Sequence, residues 1–123
     1  MLLDTCIVID LLRGRESALA FITGLSSRPA LSVITVTEVV AGARDARERQ
    51  QIDQFVRACQ SCEIDLEIAT LAGDYVSKYG RSHSVDPIDA LIAATAKSRN
   101  LELATVNLKH FPMFEALARP YPA

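Results

Sequence analysis

Short apolar runs alternate with helical patterns along the whole chain, and this constrains the fold more than any other feature. LLD (2–4), ALSVI (30–34), CEIDL (62–66) and LELAT (101–105) have the length and composition of buried strands. Between them, apolar residues recur at helical spacing over 5–13, 16–25, 66–84 and 87–100, and TVTEVVAGA runs into a charged helical stretch that ends near residue 60. Strands that alternate with helices predict an α/β fold with a parallel sheet covered on both faces and right-handed crossovers. MFEALARPY (113–121) is expected to add an edge strand, giving four to five in all. With 123 residues, half of them apolar, the chain fits one domain spanning 1–123 and is not a disordered segment.

Composition excludes several function classes. The formal charge is -2, so no global basic field draws in nucleic acid, and any polyanion must meet a local patch. Three cysteines do not make a disulfide scaffold and suit a reducing compartment. The first residues lack the basic head of a signal peptide, and no apolar run approaches a membrane span. A soluble, cytoplasmic protein is expected. Cys59-Gln-Ser-Cys62 lacks the second ligand pair of a zinc site and precedes a strand instead of opening a helix, so neither zinc nor redox chemistry is assigned to it. Cys6 is expected in the core. Asp10 is expected to face solvent or a partner, and Arg44, Arg47 and Arg49, interleaved with acids, to form a solvated helix face.

Sites in open parallel sheets form outside the carboxyl ends of the strands. Three acids with apolar neighbours point there. Asp4 closes the first strand, Glu38 follows the second, and Asp89 lies in the first turn of the helix PIDALIAATA. Each also has a plain capping reading. Thr35 to Glu38 fits a capping box, Asp86 before Pro87 fits an N-cap with Asp89 at the third helical position, and Asp4 can cap the first helix. Capping explains each acid singly but not their meeting at one end of one sheet. For Asp89 to join the others, the helix from Leu66 must run back so that the next begins at the carboxyl edge. Three crowded carboxylates repel, and one takes up a proton unless a cation is present. Oxygen donors without His or Cys suit Mg²⁺ or Mn²⁺, ions that serve phosphoryl chemistry.

LLDTCIVIDLLRG, TVTEVVAGA, IDALIAATA and LATVNLKHF, in this order and spacing, resemble the PIN domain, and within it the VapC toxins of bacterial type II toxin–antitoxin systems. The resemblance spans nearly the whole chain. It implies a three-layer α/β/α sandwich, a Mg²⁺- or Mn²⁺-dependent endoribonuclease acting on RNA, and neutralisation by a VapB-type antitoxin. Asp4, Glu38 and Asp89 match the family's metal-holding acids, and Thr5 matches the hydroxyl residue that orients the attacking water or a phosphate. Asn107 falls where many members carry a fourth acid, and Asp86 is a cap or an outer ligand. Arg13, Arg15, Lys109 and His110 are expected to meet the RNA backbone. Family members usually form homodimers or larger toxin–antitoxin assemblies. Leu11, Leu12, Leu19 and Ile22 are candidates for a dimer surface or for core.

Three other classes compete. A phosphoacceptor receiver needs an acid pair after the first strand and a late lysine, and a dehalogenase-type phosphatase needs D-x-D where this chain has D-T-C. A catalytically silent PIN module that only binds RNA or protein would not need all three acids.

Overall fold

The computed structural model describes residues 1–123. Strands β1 (Leu2–Leu3), β2 (Ala30–Ser32), β3 (Gln60–Cys62) and β4 (Leu103–Ala104) form one sheet in the order β3-β2-β1-β4, and all its pairings are parallel. Helices α1 (Thr5–Leu12), α2 (Glu16–Thr23), α3 (Val33–Ala41) and α4 (Ala46–Ala58) connect the first three strands, and α5 (Leu66–His83) and α6 (Pro87–Ser98) lead to the fourth. β1 pairs Leu2 with both Ala30 and Leu103, so the chain builds outward from β1 to one side and then returns to the other. That reversal creates the crevice in which doubly wound sheets place their ligands.

The period of two along the strands makes the layers. Leu3, Leu31 and Ala104 face Ile7, Val8, Val39 and Ile52 on one side, while Leu2, Ala30 and Leu103 face Ile92, Ala93 and Ala96 on the other. Leu2 and Leu3 are fully buried, each contributing ~1.5–3 kcal/mol. The alanines of α6 divide between neighbours: Ala93 and Ala96 meet the sheet, and Ala90 and Ala94 meet Ile68 and Ala72 of α5. Without bulk on either side, α6 sits close to both layers.

The structure corrects several boundaries. β2 stops at Ser32 because the Ser32 hydroxyl accepts from the Ile34 amide and starts α3, so Val33 and Ile34 turn helical despite their strand propensity. Asp45 caps α4 and separates it from α3. β3 begins and ends earlier than CEIDL suggests, because Asp65 caps α5 through the Ile68 amide. No fifth strand forms over residues 113–121. Pro112, Pro120 and Pro122 have no ladder donors to offer, and Arg119 Nε donates to the Val106 carbonyl at 2.9 Å, bringing a side chain where a strand would bring an amide. Leu11, Leu12 and Ile22 pack against the core, and only Leu19 of that group stays largely exposed. No helix is long and apolar enough to cross a membrane.

Candidate active site

Two of the three acids are joined through one residue, Thr5. Asp4 follows β1 directly, is 4 % exposed, and caps α1 by accepting from the Thr5 amide at 2.8 Å. The same Thr5 donates from Oγ1 to Glu38 Oε1 at 2.6 Å and lies 3.1 Å from Thr35 Oγ1. The capping box is therefore not made. Ser32 caps α3, Thr35 is buried inside the helix, and Glu38 turns its carboxylate toward β1. Asp4 Oδ2 accepts from Thr105 Oγ1 at 2.7 Å and from Cys6 Sγ at 3.2 Å.

Asp89, the third acid, lies in the first turn of α6. Asp86 is the N-cap, accepting from the Asp89 amide at 2.9 Å, and Pro87 occupies the first turn, as the sequence implies. Burial first, then the charges of Asp86 and Asp4, push the Asp89 carboxyl up to about 6. The contact of Asp89 with His110, in the turn that follows β4, brings the start of α6 to the carboxyl edge of the sheet. Asp89 Oδ2 lies 3.4 Å from His110 Nδ1. As they stand, no three acidic, histidine or cysteine side chains approach closely enough to hold one metal ion. The donor chemistry still fits a hard divalent cation: the acids supply only oxygen, and Asp89 bears the penalty of negative charges placed together.

Other candidates separate. Arg13 shares a small cleft of about 60 Å³ with Glu38 and Glu48. Lys109 and Asn107 are exposed near the end of β4, and the Asn107 amide donates to Thr105 Oγ1 at 3.0 Å. Arg15 does not face the acids. It pairs with Asp10 at 3.3 Å, stacks 5.0 Å over the Tyr121 ring and donates to the Pro122 carbonyl. Asp10 likewise does not face solvent alone, because Tyr121 donates to its Oδ2 at 2.8 Å. This cluster ties the end of the chain to α1. Arg49 pairs with Asp53 on the solvated face of α4, where Arg47 is exposed, and Arg44, just before the helix, pairs with Glu48.

Two site residues escape a reading of the sequence. Cys6 is not simple core: it donates to Asp4, and burial and then that negative charge raise its thiol to about 12. Thr105 is fully buried and braces Asp4 from across the sheet. Its place at the end of LELAT, where β4 delivers it beside the end of β1, is the only sequence signal. Cys59 and Cys62 are both buried free thiols. A cavity of about 540 Å³ lies at the amino ends of β1 and β4 between Met1, Leu101 and Phe114, away from the acids.

A four-stranded parallel sheet linked by helices, with Asp4 at the end of β1 and Glu38 tied to it through Thr5, defines a protein of the α/β class. The PIN domain family model matches residues 1–115, and the chain belongs to that family. It is 37 % identical to ribonuclease VapC10 of Mycobacterium tuberculosis, covering 98 % of this chain and 92 % of that one. It is 36 % identical to ribonuclease VapC19 of the same organism, over 98 % of both. A toxin–antitoxin complex from Klebsiella pneumoniae has a chain of matching structure, with a TM-score of 0.86 and 30 % identity over 99 % of this chain and 98 % of that one.

Proposed function

We propose that the chain is a VapC-type toxin: a Mg²⁺- or Mn²⁺-dependent endoribonuclease, neutralised by a VapB-type antitoxin, acting in the cytoplasm as one PIN domain over residues 1–123. The observation that carries this reading is the Thr5 bridge, which binds the acid after β1 to the acid of α3 while Asp89 lies within the field of Asp4. Relatives named as ribonucleases and a matching toxin–antitoxin complex support it.

In this reading Asp4, Glu38 and Asp89 hold the ion, with Asn107 and Asp86 at its margin. Bound there, such an ion would supply a lowered pKa for water and an offset to the charge on the phosphate. The chain's own residues do the rest. Thr5 fixes the Glu38 carboxylate and orients the attacking water, which gives its proton to a nearby carboxylate and adds to phosphorus as the bond to the ribose oxygen breaks, that oxygen leaving as a hydroxyl with a proton from solvent. Asp4 is held rigid by donors from Thr5, Thr105 and Cys6. Arg13 and Lys109 meet the RNA backbone. Leu19, 53 % exposed, is the residue of the early helices best placed to enter a homodimer or antitoxin contact.

The ungathered state of the acids favours a second reading, a PIN module that binds RNA without cutting it. One assay decides between them. The chain, freed of any co-purifying partner, is incubated with total RNA in Mg²⁺ or in EDTA, beside Asp89→Asn. Cleavage in Mg²⁺ alone, lost in the variant, is expected. Cleavage that persists in EDTA rejects the metal mechanism, and binding without cleavage supports the silent module.

A further inference from the structure

His110 Nδ1 is a buried nitrogen with no hydrogen-bond partner of good geometry, and its nearest charged neighbour is Asp89 Oδ2 at 3.4 Å. Buried polar atoms in folded proteins are almost always paired. Water cannot satisfy this one, because the atom has essentially no accessible surface. The same closure leaves no room beside Nδ1 for an ion or a phosphate oxygen, so it is not a ligand. The one acceptor left within reach is Asp89 Oδ2, which lies 3.4 Å away but off the line of a hydrogen bond as the ring stands.

The turn that carries His110 also reaches Asp4. Thr105 Oγ1 donates to Asp4 Oδ2 at 2.7 Å, the Asn107 amide donates to Thr105 Oγ1 at 3.0 Å, and the His110 amide donates to the Asn107 carbonyl at 3.1 Å. Thr105 and Phe111, both buried, anchor the two ends of this turn in the core. Asp4 and Asp89 share no hydrogen bond of their own. Asp86 fixes only the Asp89 backbone.

We propose that residues 105–110 form a strap that positions Asp89 relative to Asp4, with His110 donating from Nδ1 to Asp89 Oδ2 and leaving Oδ1 for the site. His110 is thus a positioning residue and does not contact RNA through Nδ1. The proposal rests on the reading of Asp4 and Asp89 as parts of one metal-holding site.

Long-range ¹H–¹⁵N spectra of the full chain at pH 8, without metal, test the contact itself. The expected result is a proton on His110 Nδ1 that moves to Nε2 in Asp89→Ala. A wild-type ring protonated only on Nε2 overturns the strap. Calorimetric Mn²⁺ titration and steady-state cleavage then test its role. His110→Leu is expected to weaken Mn²⁺ binding about 10–100-fold with an unchanged KM for RNA, and His110→Asn, which keeps a donor near Nδ1, to recover most of it. Wild-type Mn²⁺ affinity in His110→Leu, or a rise in KM alone, overturns the positioning role. Wild-type Mn²⁺ binding by Asp89→Asn would instead reject the metal reading, and the tautomer would still decide whether the contact exists.

Discussion

Removing the charge of Asp89 should stabilise the metal-free protein while destroying its activity. The carboxyl stands at about 6 against an ordinary 3.8, held there by burial and by Asp86 and Asp4. If no solvent reached it, that rise would correspond to at most ~3 kcal/mol against the charged form. Its side chain is 22 % exposed and faces His110, and solvent screening reduces the effect to about 1 kcal/mol. Because the folded value lies above the unfolded one, the stabilising contribution is fully present below 3.8 and is lost as pH rises through about 6. Asp89→Asn, in EDTA at pH 7.5, should therefore melt roughly 4 °C above wild type, and the gap should close near pH 4. Mg²⁺ should raise the wild-type Tm and leave the variant unmoved, since only a state that binds the ion gains from it. Scanning calorimetry over pH, with and without Mg²⁺, reads all of this. A variant that melts below wild type in EDTA at pH 7.5 would show that His110 already compensates the charge, and the argument from repulsion would fail.

Thr5→Val deletes the hydroxyl bridge at nearly constant volume. It should lower kcat on a labelled oligoribonucleotide about 10–100-fold, whereas Thr5→Ser retains most activity. Tyr121→Phe removes the donor to Asp10 and should cost about 1–2 kcal/mol in urea unfolding without changing the KM for RNA. Arg13 and Arg15 should separate cleanly. Arg13→Ala should raise KM in a salt-dependent way, and Arg15→Ala should lower the melting temperature while leaving KM near wild type.

The alternation of short apolar runs with helical patterns was enough to read an α/β sheet of parallel strands, because Leu2–Leu3 and PIDALIAATA carry local signals that tertiary contacts reinforce. Strand ends were less legible. Val33 and Ile34 have strand propensity, yet the side chain of Ser32 starts the helix two residues earlier. The segment at 113–121 has strand-like composition, but its prolines and the Arg119 contact decide otherwise. Asp4, Glu38 and Asp89 stood out as acids in apolar company, so they could be found along the chain. Thr105 beside Asp4 and Tyr121 beside Asp10 could not, because each depends on a partner about a hundred residues away.

The central claim is that three acids from three elements act as one metal-holding site. Calorimetric titration of Mn²⁺ into the wild-type chain and into Asp4→Asn, Glu38→Gln and Asp89→Asn tests it most directly. Each single substitution should abolish or severely weaken the same binding event. A variant that retains wild-type affinity would remove its acid from the site and contradict the account.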